Sequence, residues 1–204
     1  MAASFTSGEI RQKYDRAAAW YDRAEGALEV LGVGRLRREL LRRASGKVLE
    51  VAAGTGKSFR HYPRGCRVVA GDLSAGMLRI ARERADGLEV TLLGADVAAL
   101  PFPDGRFDTV ASCLSLCTYP DPAAALREMR RVCRAEGRML FLEHGRSDRA
   151  RIGRWQDRRA DGHANCLGCH WNREPLELVR QAGLRVIAAR RTFFGVFHVI
   201  EAAP

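Results

Sequence analysis

Two acidic residues and a pair of glycines, placed along neighbouring apolar runs, form the most informative pattern in the sequence. Residues 48–56 lead from a short apolar run through Glu50 into a loop that contains Gly54 and Gly56. Glycine has no Cβ, so it tolerates unusual φ and allows a bulky ligand to lie against the main chain. The next apolar run ends at Asp72. A glycine turn followed about twenty residues later by a carboxylate is the arrangement with which doubly wound folds bind a nucleoside.

Two other nucleotide-binding loops match less well. Dinucleotide-binding loops carry three spaced glycines, whereas the first of these positions is Ala52. A P-loop is excluded because Lys57 and Ser58 follow Gly56 without the required upstream glycine. Each acidic residue or glycine taken singly is compatible with a plain turn or a helix cap. Their joint order favours a nucleoside site.

Two later segments continue the pattern. Residues 72–78 read Asp-Leu-Ser-Ala-Gly-Met-Leu, and residues 94–97 read Gly-Ala-Asp-Val. Together with residues 50–56 they resemble the first three motifs of the class I S-adenosylmethionine (SAM) methyltransferases, with alanine in place of the usual first glycine. The resemblance covers roughly residues 14–143. It implies a Rossmann-like transferase with SAM as cofactor and S-adenosylhomocysteine as product.

The resemblance also implies roles for individual residues. Asp72 would hold the ribose of SAM, and Asp96 would reach the adenine amino group. The repeat Tyr14-Asp15-x-x-Ala18-x-x-Tyr21-Asp22 resembles a lid helix in which a tyrosine touches the carboxylate end of the cofactor; an apolar core stripe is the alternative. The residues predicted to bind the cofactor are Tyr14, Tyr21, Glu50, Ala52, Gly54, Gly56, Asp72, Leu73, Met77, Asp96, Val97, Cys113 and Ser115.

Strand and helix patterns alternate along the middle of the chain. The N-terminal segment is predicted to be helical, with breaks at the glycines 26, 32 and 34. Strands are predicted at 47–52, 67–72, 89–93, 107–113 and 138–143, and helices near 56–62, 75–86 and 122–134. This order requires a mostly parallel sheet with helices on both faces. A helix near 173–182 and a hairpin of two strands, 184–191 and 194–201, complete the prediction. The resemblance implies seven strands, the last of them antiparallel.

The length of 204 residues indicates a single domain. We expect residues 1–44 to form the helical lid, residues 45–143 the SAM-binding core, and residues 144–204 the substrate region with the closing hairpin.

Substrate is expected at the carboxyl ends of the strands, where His144 follows the fifth strand. An imidazole titrates near neutral pH, so His144 is the candidate general base; a hydrogen-bonded structural histidine is the alternative. The segments Glu143-His144, Trp155-Gln156 and Gly168-Cys169-x-x-x-Arg173-Glu174 resemble a subgroup that contains thiol S-methyltransferases. A small-molecule thiol is therefore the first predicted acceptor. A phospholipid amine is the second, and quinone methyltransferases share the first four motifs and the Tyr-Asp repeat.

The formal net charge is +10, carried almost wholly by arginine. The basic, amphipathic segment 36–43 predicts either an ordinary surface helix or a peripheral membrane contact. We expect no nucleic-acid partner because the basic residues are not interleaved with an aromatic platform; a SAM- or nucleic-acid-binding module is the non-enzymatic alternative.

No apolar run approaches the roughly 20 residues of a membrane span, and no secretory segment is visible, which favours a cytoplasmic protein.

Six scattered cysteines suit a reducing compartment. Four potential metal ligands lie close together at His163, Cys166, Cys169 and His170. The Cys-x-x-Cys-His pattern is that of c-type haem attachment, which needs export, and zinc is the more plausible occupant. Adjacent Cys169 and His170 rarely reach one metal together, so we expect no metal here.

Overall fold

The computed structural model describes residues 5–204, so the first four residues of the predicted lid segment lie outside the described part of the chain. Seven strands form one sheet in the order β3-β2-β1-β4-β5-β7-β6. The strands are β1 Lys47–Val51, β2 Arg67–Asp72, β3 Val90–Gly94, β4 Phe107–Cys113, β5 Cys133–His144, β6 Arg185–Thr192 and β7 Phe197–Ala203. Strands β1 to β5 are parallel, and β7 is antiparallel to both of its neighbours. This confirms the predicted seven-stranded, mostly parallel sheet.

Helices cover both faces of the sheet. They are α1 Ser7–Leu28, α2 Gly34–Leu41, α3 Ala75–Ala85, α4 Pro122–Val132, α5 Ala150–Leu167 and α6 Pro175–Gln181. Side chains alternate between the two faces along each strand. In β5, for example, Met139 and Phe141 belong to the core beneath α4 and α6, while Leu140 and Leu142 belong to the core beneath α2 and α3. The sheet is thus buried on both sides, as parallel strands require.

The helices differ from the prediction in two places. The helix expected near residues 56–62 is only a short 3-10 turn, Phe59–His61, because the loop before it turns through left-handed glycines. Helix α5 was not predicted at all. Its buried face consists of small and polar residues, Gly153, Gln156, Ala160 and Ala164, so it shows no apolar stripe.

The N-terminal helix begins with a capping box. The Thr6 hydroxyl accepts from the backbone N–H of Glu9, and the Glu9 side chain accepts from the backbone N–H of Thr6. The helix runs through Gly26 without interruption. It breaks at Gly32, whose φ of 134° is favourable only for glycine, inside a short π-helical turn, Glu29–Val33.

Helix α2 does not present an apolar face to a membrane. Leu36, Leu40 and Leu41 are buried against the sheet. Arg37 is buried as well, while Arg38 and Arg42 are exposed. The apolar half of the predicted membrane-contacting helix is therefore core. Within residues 5–204, no helix combines the length and the apolar character needed to cross a bilayer.

Candidate cofactor site

A cavity of about 200 Å³ lies at the carboxyl ends of β1, β2 and β4. Helix α1 supplies one wall through residues that include Ile10, Tyr14 and Tyr21. Twelve of the thirteen residues predicted to bind the cofactor line this cavity, and Gly56 does not. The structure therefore brings together side chains from five separate segments of the sequence at the place where open α/β sheets bind ligands.

Gly56 has a different reason to be glycine. Its φ is +78°, and a Cβ at this position would collide with the ring of Phe59. The residue is thus required by the tight packing of the loop on Phe59. Gly54, with a φ of +56°, has open space where its Cβ would be and lines the cavity. Only Gly54 fits the expectation that a glycine allows the ligand to approach the backbone.

Two non-glycine residues of the cavity wall have left-handed backbone. Ala52 has a φ of 47°, and Leu114, just after β4, has a φ of 59°. A left-handed conformation costs a residue with a Cβ about 1–2 kcal/mol. Such strain tends to occur at functional sites, where the surrounding structure maintains it. The position of Ala52 is also the one where the methyltransferase motif usually has glycine, and its φ explains that preference.

The Asp72 carboxylate organises the floor of the cavity. One oxygen, Oδ2, accepts from the N–H of Gly54 at 2.8 Å, and the other, Oδ1, accepts from the N–H of Ser74 at 2.8 Å. Burial raises the pKa of Asp72, while these backbone hydrogen bonds oppose the rise. A carboxylate has about four lone-pair sites, so Asp72 can still accept from two ribose hydroxyls.

The two aspartates of the Tyr-Asp repeat fasten α1 over this floor. Asp15 accepts from the Ser74 hydroxyl at 2.6 Å and from the N–H of Gly76 at 3.0 Å, at the N-terminus of α3. These hydrogen bonds lower the pKa of Asp15. Asp22 accepts from the Thr55 hydroxyl at 2.8 Å and also pairs with Arg84. The repeat thus alternates an attachment residue with a tyrosine that lines the cavity.

Those tyrosines lie against each other. The ring centroids of Tyr14 and Tyr21 are 5.8 Å apart in an edge-on arrangement, and Lys57 Nζ lies 5.5 Å from the centroid of the Tyr21 ring. Burial raises the pKa of both phenols well above the usual value. For Tyr14 the neighbouring thiols of Cys117 and Cys169 raise the pKa further. Both hydroxyls are therefore neutral hydrogen-bond donors at the pH of the cell.

Glu50 and Arg37 form the deepest charged part of the cavity. Burial raises the pKa of Glu50 to about 7, while Ser58 and the Arg37 guanidinium oppose the rise. Its Oε2 has no hydrogen-bond partner among the described residues. Arg37 donates to the Ser58 hydroxyl at 3.2 Å and pairs with Glu29. An unpaired buried carboxylate oxygen needs a donor, and the ammonium group of an amino-acid ligand supplies one.

Arg37 belongs to the site although sequence reasoning assigned it to a surface helix. Residues 36–43 are dominated by arginine and leucine, and no local pattern distinguishes the one buried arginine. Its spacing of one residue after Leu36 and three before Leu40 places it on the inward face. That spacing is the signal that could have identified it.

The polar residues after β4 form a buried network. Ser115 Oγ lies 2.7 Å from both Ser112 Oγ and the Tyr119 hydroxyl. Glu143, at the end of β5, accepts from the Ser112 hydroxyl at 2.6 Å and from the N–H of Ser115 at 2.8 Å. Burial raises the pKa of Cys113 to about 12, so its thiol is neutral. This side of the cavity is held by hydrogen bonds within the protein.

His144 does not line the cavity. Its Nε2 lies 3.4 Å from Cys169 Sγ, and its ring packs near Phe197. The cavity wall nearby is made by Leu114, Ser115 and Thr118, and the neighbouring Cys117 faces the histidine instead. The geometry therefore favours the structural alternative for His144 over the predicted role of general base.

The four ligands of the sequence motif at residues 163–170 do not gather around one point. His163 stacks on Trp171 with centroids 4.1 Å apart, and Cys166 is exposed. Among residues 5–204, the ligand atoms that do approach one another belong to Cys117, His144 and Cys169, all within 4.8 Å. Of these three residues only Cys169 belongs to the sequence motif. His163 and Cys166 lie on α5, which ends at Leu167, and they are not part of this group.

Comparisons with known proteins agree with this geometry. Residues 49–141 match the family model of the methyltransferase domain. The chain is 27% identical over 211 aligned positions, 93% of its length, to the mitochondrial methyltransferase OMS1 of Saccharomyces cerevisiae, of which it covers 45%. It is 34% identical over 66% of its length to the ubiquinone/menaquinone biosynthesis C-methyltransferase UbiE of Hahella chejuensis, of which it covers 59%. The chain thus spans about half the length of the curated relatives it matches.

The fold has solved counterparts as well. A SAM-dependent methyltransferase structure from Thermotoga maritima superposes with a TM-score of 0.70 at 20% identity, covering 95% of this chain and 99% of that one. At this identity the likeness shows the fold alone.

The sheet order, the glycine loop and the acidic residues after β1 and β2 define a nucleoside-binding domain of the doubly wound kind. With the match of residues 49–141 to the methyltransferase domain, this part of the chain is a class I SAM-dependent methyltransferase domain, and its cofactor is SAM.

Replacing Asp72 with asparagine should weaken SAM binding. The amide keeps an oxygen for the N–H of Gly54 but loses the charge that would receive the ribose hydroxyls. Since a hydrogen bond to a charged group contributes about 1.5–3 kcal/mol, affinity measured by calorimetry should fall roughly 10- to 150-fold. Asp86→Ala, at an exposed position after α3, is the control. Unchanged affinity in Asp72→Asn, with a native circular dichroism spectrum, would contradict the ribose assignment.

Replacing Ala52 with glycine should stabilise the protein. Glycine removes a left-handed strain of about 1–2 kcal/mol, and its greater freedom in the unfolded chain offsets about 0.5–1 kcal/mol of this. The free energy of unfolding should rise by roughly 0.5–1 kcal/mol, raising the Tm by about 1–4 °C. Calorimetry checks this, with Ala53→Gly as the matched control that should be destabilised. A lower Tm for Ala52→Gly would show that the backbone here is not strained.

Proposed function

We propose that the chain transfers the methyl group of SAM to a small-molecule thiol. The observation that carries the proposal is that the other carboxylates of the described cavity wall, apart from Glu50 with its unpaired oxygen, include several that are already engaged. Asp72 accepts backbone N–H groups, Glu25 pairs with Lys57 at 3.0 Å, and Asp121 caps α4 by accepting from the N–H of Ala124 at 2.9 Å. The acceptor must then bring a nucleophile that ionises without a strong base.

A thiol meets this requirement. Its pKa of about 8.5 leaves a few per cent as thiolate at neutral pH, and the thiolate is an intrinsically strong nucleophile. Methyl transfer from a sulfonium is an in-line displacement: the thiolate sulfur bonds the methyl carbon while the carbon–sulfonium bond breaks, leaving S-adenosylhomocysteine. Most of the acceleration can come from holding the two partners aligned. Apolar side chains such as Ile10, Leu114 and Pro120 line the cavity and suit an apolar thiol.

A quinone ring carbon is the second candidate acceptor. The observation in its favour is the similarity to UbiE of Hahella chejuensis, a ubiquinone/menaquinone biosynthesis C-methyltransferase. Methylation of a ring carbon also releases the proton of that carbon, so this reaction needs a base. Glu50, with a pKa of about 7, is the one cavity carboxylate with an unpaired oxygen among the described residues. Its position near the end of β1, just before the glycine loop, fits the amino group of SAM better.

The acceptor can be identified by measuring S-adenosylhomocysteine release. We expect release with apolar thiols, and none with a demethylated menaquinone analogue or with phosphatidylethanolamine vesicles, each offered separately with SAM. The Asp72→Asn variant should lose this release in proportion to its weaker SAM binding. Release with the quinone or with the vesicles alone would replace the thiol by that acceptor. If protein that binds SAM releases no S-adenosylhomocysteine with any of the three acceptors, the thiol proposal is contradicted.

We also propose that the chain touches an anionic membrane through an apolar tip rather than through α2. The tip consists of Leu28, Val30 and Leu31 at the end of α1 and Phe193 and Phe194 between β6 and β7. Val30, Leu31 and Phe194 are exposed by 88, 71 and 72%. The two loops touch, since a Cβ on Gly32 would lie 2.7 Å from Phe193 Cζ. The other exposed large apolar residues of the described chain are Trp20, Leu88, Trp155 and Ile187, each exposed by 44–52%.

Backbone and charge agree with such a contact. Phe193, Phe194 and Gly195 all have positive φ, at 49°, 57° and 78°, so strained backbone holds the two aromatic rings at the hairpin tip. Arg35 and Arg38 lie exposed on the adjacent α2, and the exposed Arg42 follows its last residue. Each arginine near an anionic leaflet contributes about 1 kcal/mol of attraction. Apolar insertion beside a basic face is the arrangement of peripheral membrane proteins.

Vesicle sedimentation tests this contact. The protein should sediment with vesicles rich in phosphatidylglycerol and not with pure phosphatidylcholine, and added salt should weaken binding by screening. The double variant Leu31→Ser/Phe194→Ser should lose most of the binding. Leu88→Ser, an exposed apolar residue before β3, is the matched control and should bind as the parent does. Equal binding by the double variant, or equal loss in the control, would show that the tip is not the contact.

A further inference from the structure

Three soft metal ligands meet behind the cavity wall. Cys117 comes from the loop after β4, His144 from the end of β5, and Cys169 from the loop after α5. Their Sγ and imidazole nitrogen atoms all lie within 4.8 Å of one another, and Cys169 Sγ is 3.4 Å from His144 Nε2. Both cysteines are buried and neither forms a disulfide. The described chain thus concentrates two thiols and an imidazole in one place without a catalytic task for them.

The spacing matches a tetrahedral zinc site. Zinc binds thiolate sulfur at about 2.3 Å and imidazole nitrogen at about 2.0–2.1 Å, so in a tetrahedron two sulfurs are roughly 3.8 Å apart and sulfur and nitrogen roughly 3.6 Å apart. The observed sulfur–nitrogen distance of 3.4 Å is within 0.2 Å of this value. Side-chain adjustments of less than about 1 Å would bring the remaining atoms into range, since the upper limit for every pair is 4.8 Å.

The loops that carry the ligands are also held in place by other contacts. The N–H of His170 donates to the carbonyl of Cys117 at 2.9 Å, which joins the two cysteine-bearing loops directly. Arg173 donates to the carbonyl of Leu116, next to Cys117, and to that of Tyr119 at 2.8 Å. Its guanidinium also places a positive charge beside two sulfurs that become thiolates on binding a metal. A site whose ligands are held before the metal arrives loses less entropy on binding.

We propose that Cys117, His144 and Cys169 bind one zinc ion through two thiolates and one imidazole, with a fourth position left to a water molecule or another small ligand. Among the divalent cations of the cell, zinc is the one that a ligand set of two thiolates and one imidazole favours. Binding releases the two thiol protons to solvent, so the ion and its protein ligands carry no net charge. The buried position is compatible with such a neutral centre.

Such an ion would support the lid and the acceptor wall. A side chain on Gly168 would collide with Ile10, so the absence of a Cβ lets α1 close over the ligand loop. Lys13 of α1 donates to the carbonyl of Asn165 at 2.7 Å, at the C-terminus of α5. Tyr14, which lines the cavity, lies on the same helix. Zinc would therefore join the base of α1 to β4 and β5 through the loop that follows α5.

Metal analysis of the purified, untagged chain tests the proposal without reference to catalysis. The chain is incubated with one equivalent of zinc under reducing conditions, and free metal is removed. We then expect elemental mass spectrometry to find one zinc per chain. Cobalt substitution should give the visible bands of a tetrahedral centre together with near-ultraviolet thiolate charge transfer. Removal of the metal by a chelator should lower the Tm.

Variants decide which residues bind the ion. Cys117→Ser and Cys169→Ser should each weaken zinc affinity roughly tenfold or more. Cys166→Ser is the matched control, since this exposed cysteine lies three residues before Cys169 and should keep one zinc per chain. If a cysteine variant fails to fold, the cobalt spectrum of the parent protein still shows whether two thiolates are bound.

Three results would overturn the proposal. One is a parent protein that holds less than about a tenth of an equivalent of zinc and gives no cobalt bands. The second is equal loss of zinc in Cys166→Ser, which would place the ion elsewhere. The third is a chain lighter by two hydrogen atoms, restored by a reductant, in which Cys117 and Cys169 have formed a disulfide instead of a metal site.

Discussion

One buried carboxylate, that of Asp72, joins the parts on which the cavity depends. It accepts hydrogen bonds from the glycine loop after β1 and from the first turn of the segment that starts α3. Ser74, held in this way, donates its hydroxyl to Asp15 of α1. The loop, the sheet and helix α1 therefore share a chain of charge-assisted hydrogen bonds, which are stronger than neutral ones. A ligand that bonds to Asp72 contacts the group that keeps these three parts in register.

Helix α1 is attached to the rest of the domain through two aspartates and lines the cavity with two tyrosines. Asp15 and Asp22 face α3 and the glycine loop, whereas Tyr14 and Tyr21 face the ligand space. The attachments are hydrogen bonds of part-buried and exposed side chains, and they add to the packing of Ile10, Ala17 and Ala18, which are buried. The same arrangement explains why the aspartates and tyrosines recur with the spacing of a helix.

The two sides of the cavity have different chemistry. On the side of β1 and β2, the carboxylates of Glu50 and Asp72 line the ligand space, as a polar nucleoside requires. On the side of β4 and β5, Glu143 receives the Ser112 hydroxyl and the N–H of Ser115, so the protein satisfies its own polar groups. What is left exposed to an acceptor there is mostly apolar. This division suits a reaction in which the acceptor supplies the nucleophile and the protein supplies alignment.

The sequence by itself determined the strands of the central sheet, the glycine loop and the acidic residues at the ends of β1 and β2. These features depend on rules that act over a few residues: the two-residue period of a strand, the 3.6-residue period of a helix and the freedom of glycine at positive φ. Helix α5 escaped prediction because its buried face carries Gly153, Gln156, Ala160 and Ala164, which give no apolar period.

Only the tertiary structure decided which residues meet. It turned Gly56 toward Phe59 and buried Arg37 beside Glu50. It buried the leucines of α2 and left the apolar side chains at the tips of two loops exposed. It also brought Cys117, His144 and Cys169 together, although each is more than 20 residues from the next along the chain. The physical reason is that contacts between distant segments depend on how the sheet orders its strands and packs its helices. No local pattern of residues contains that information.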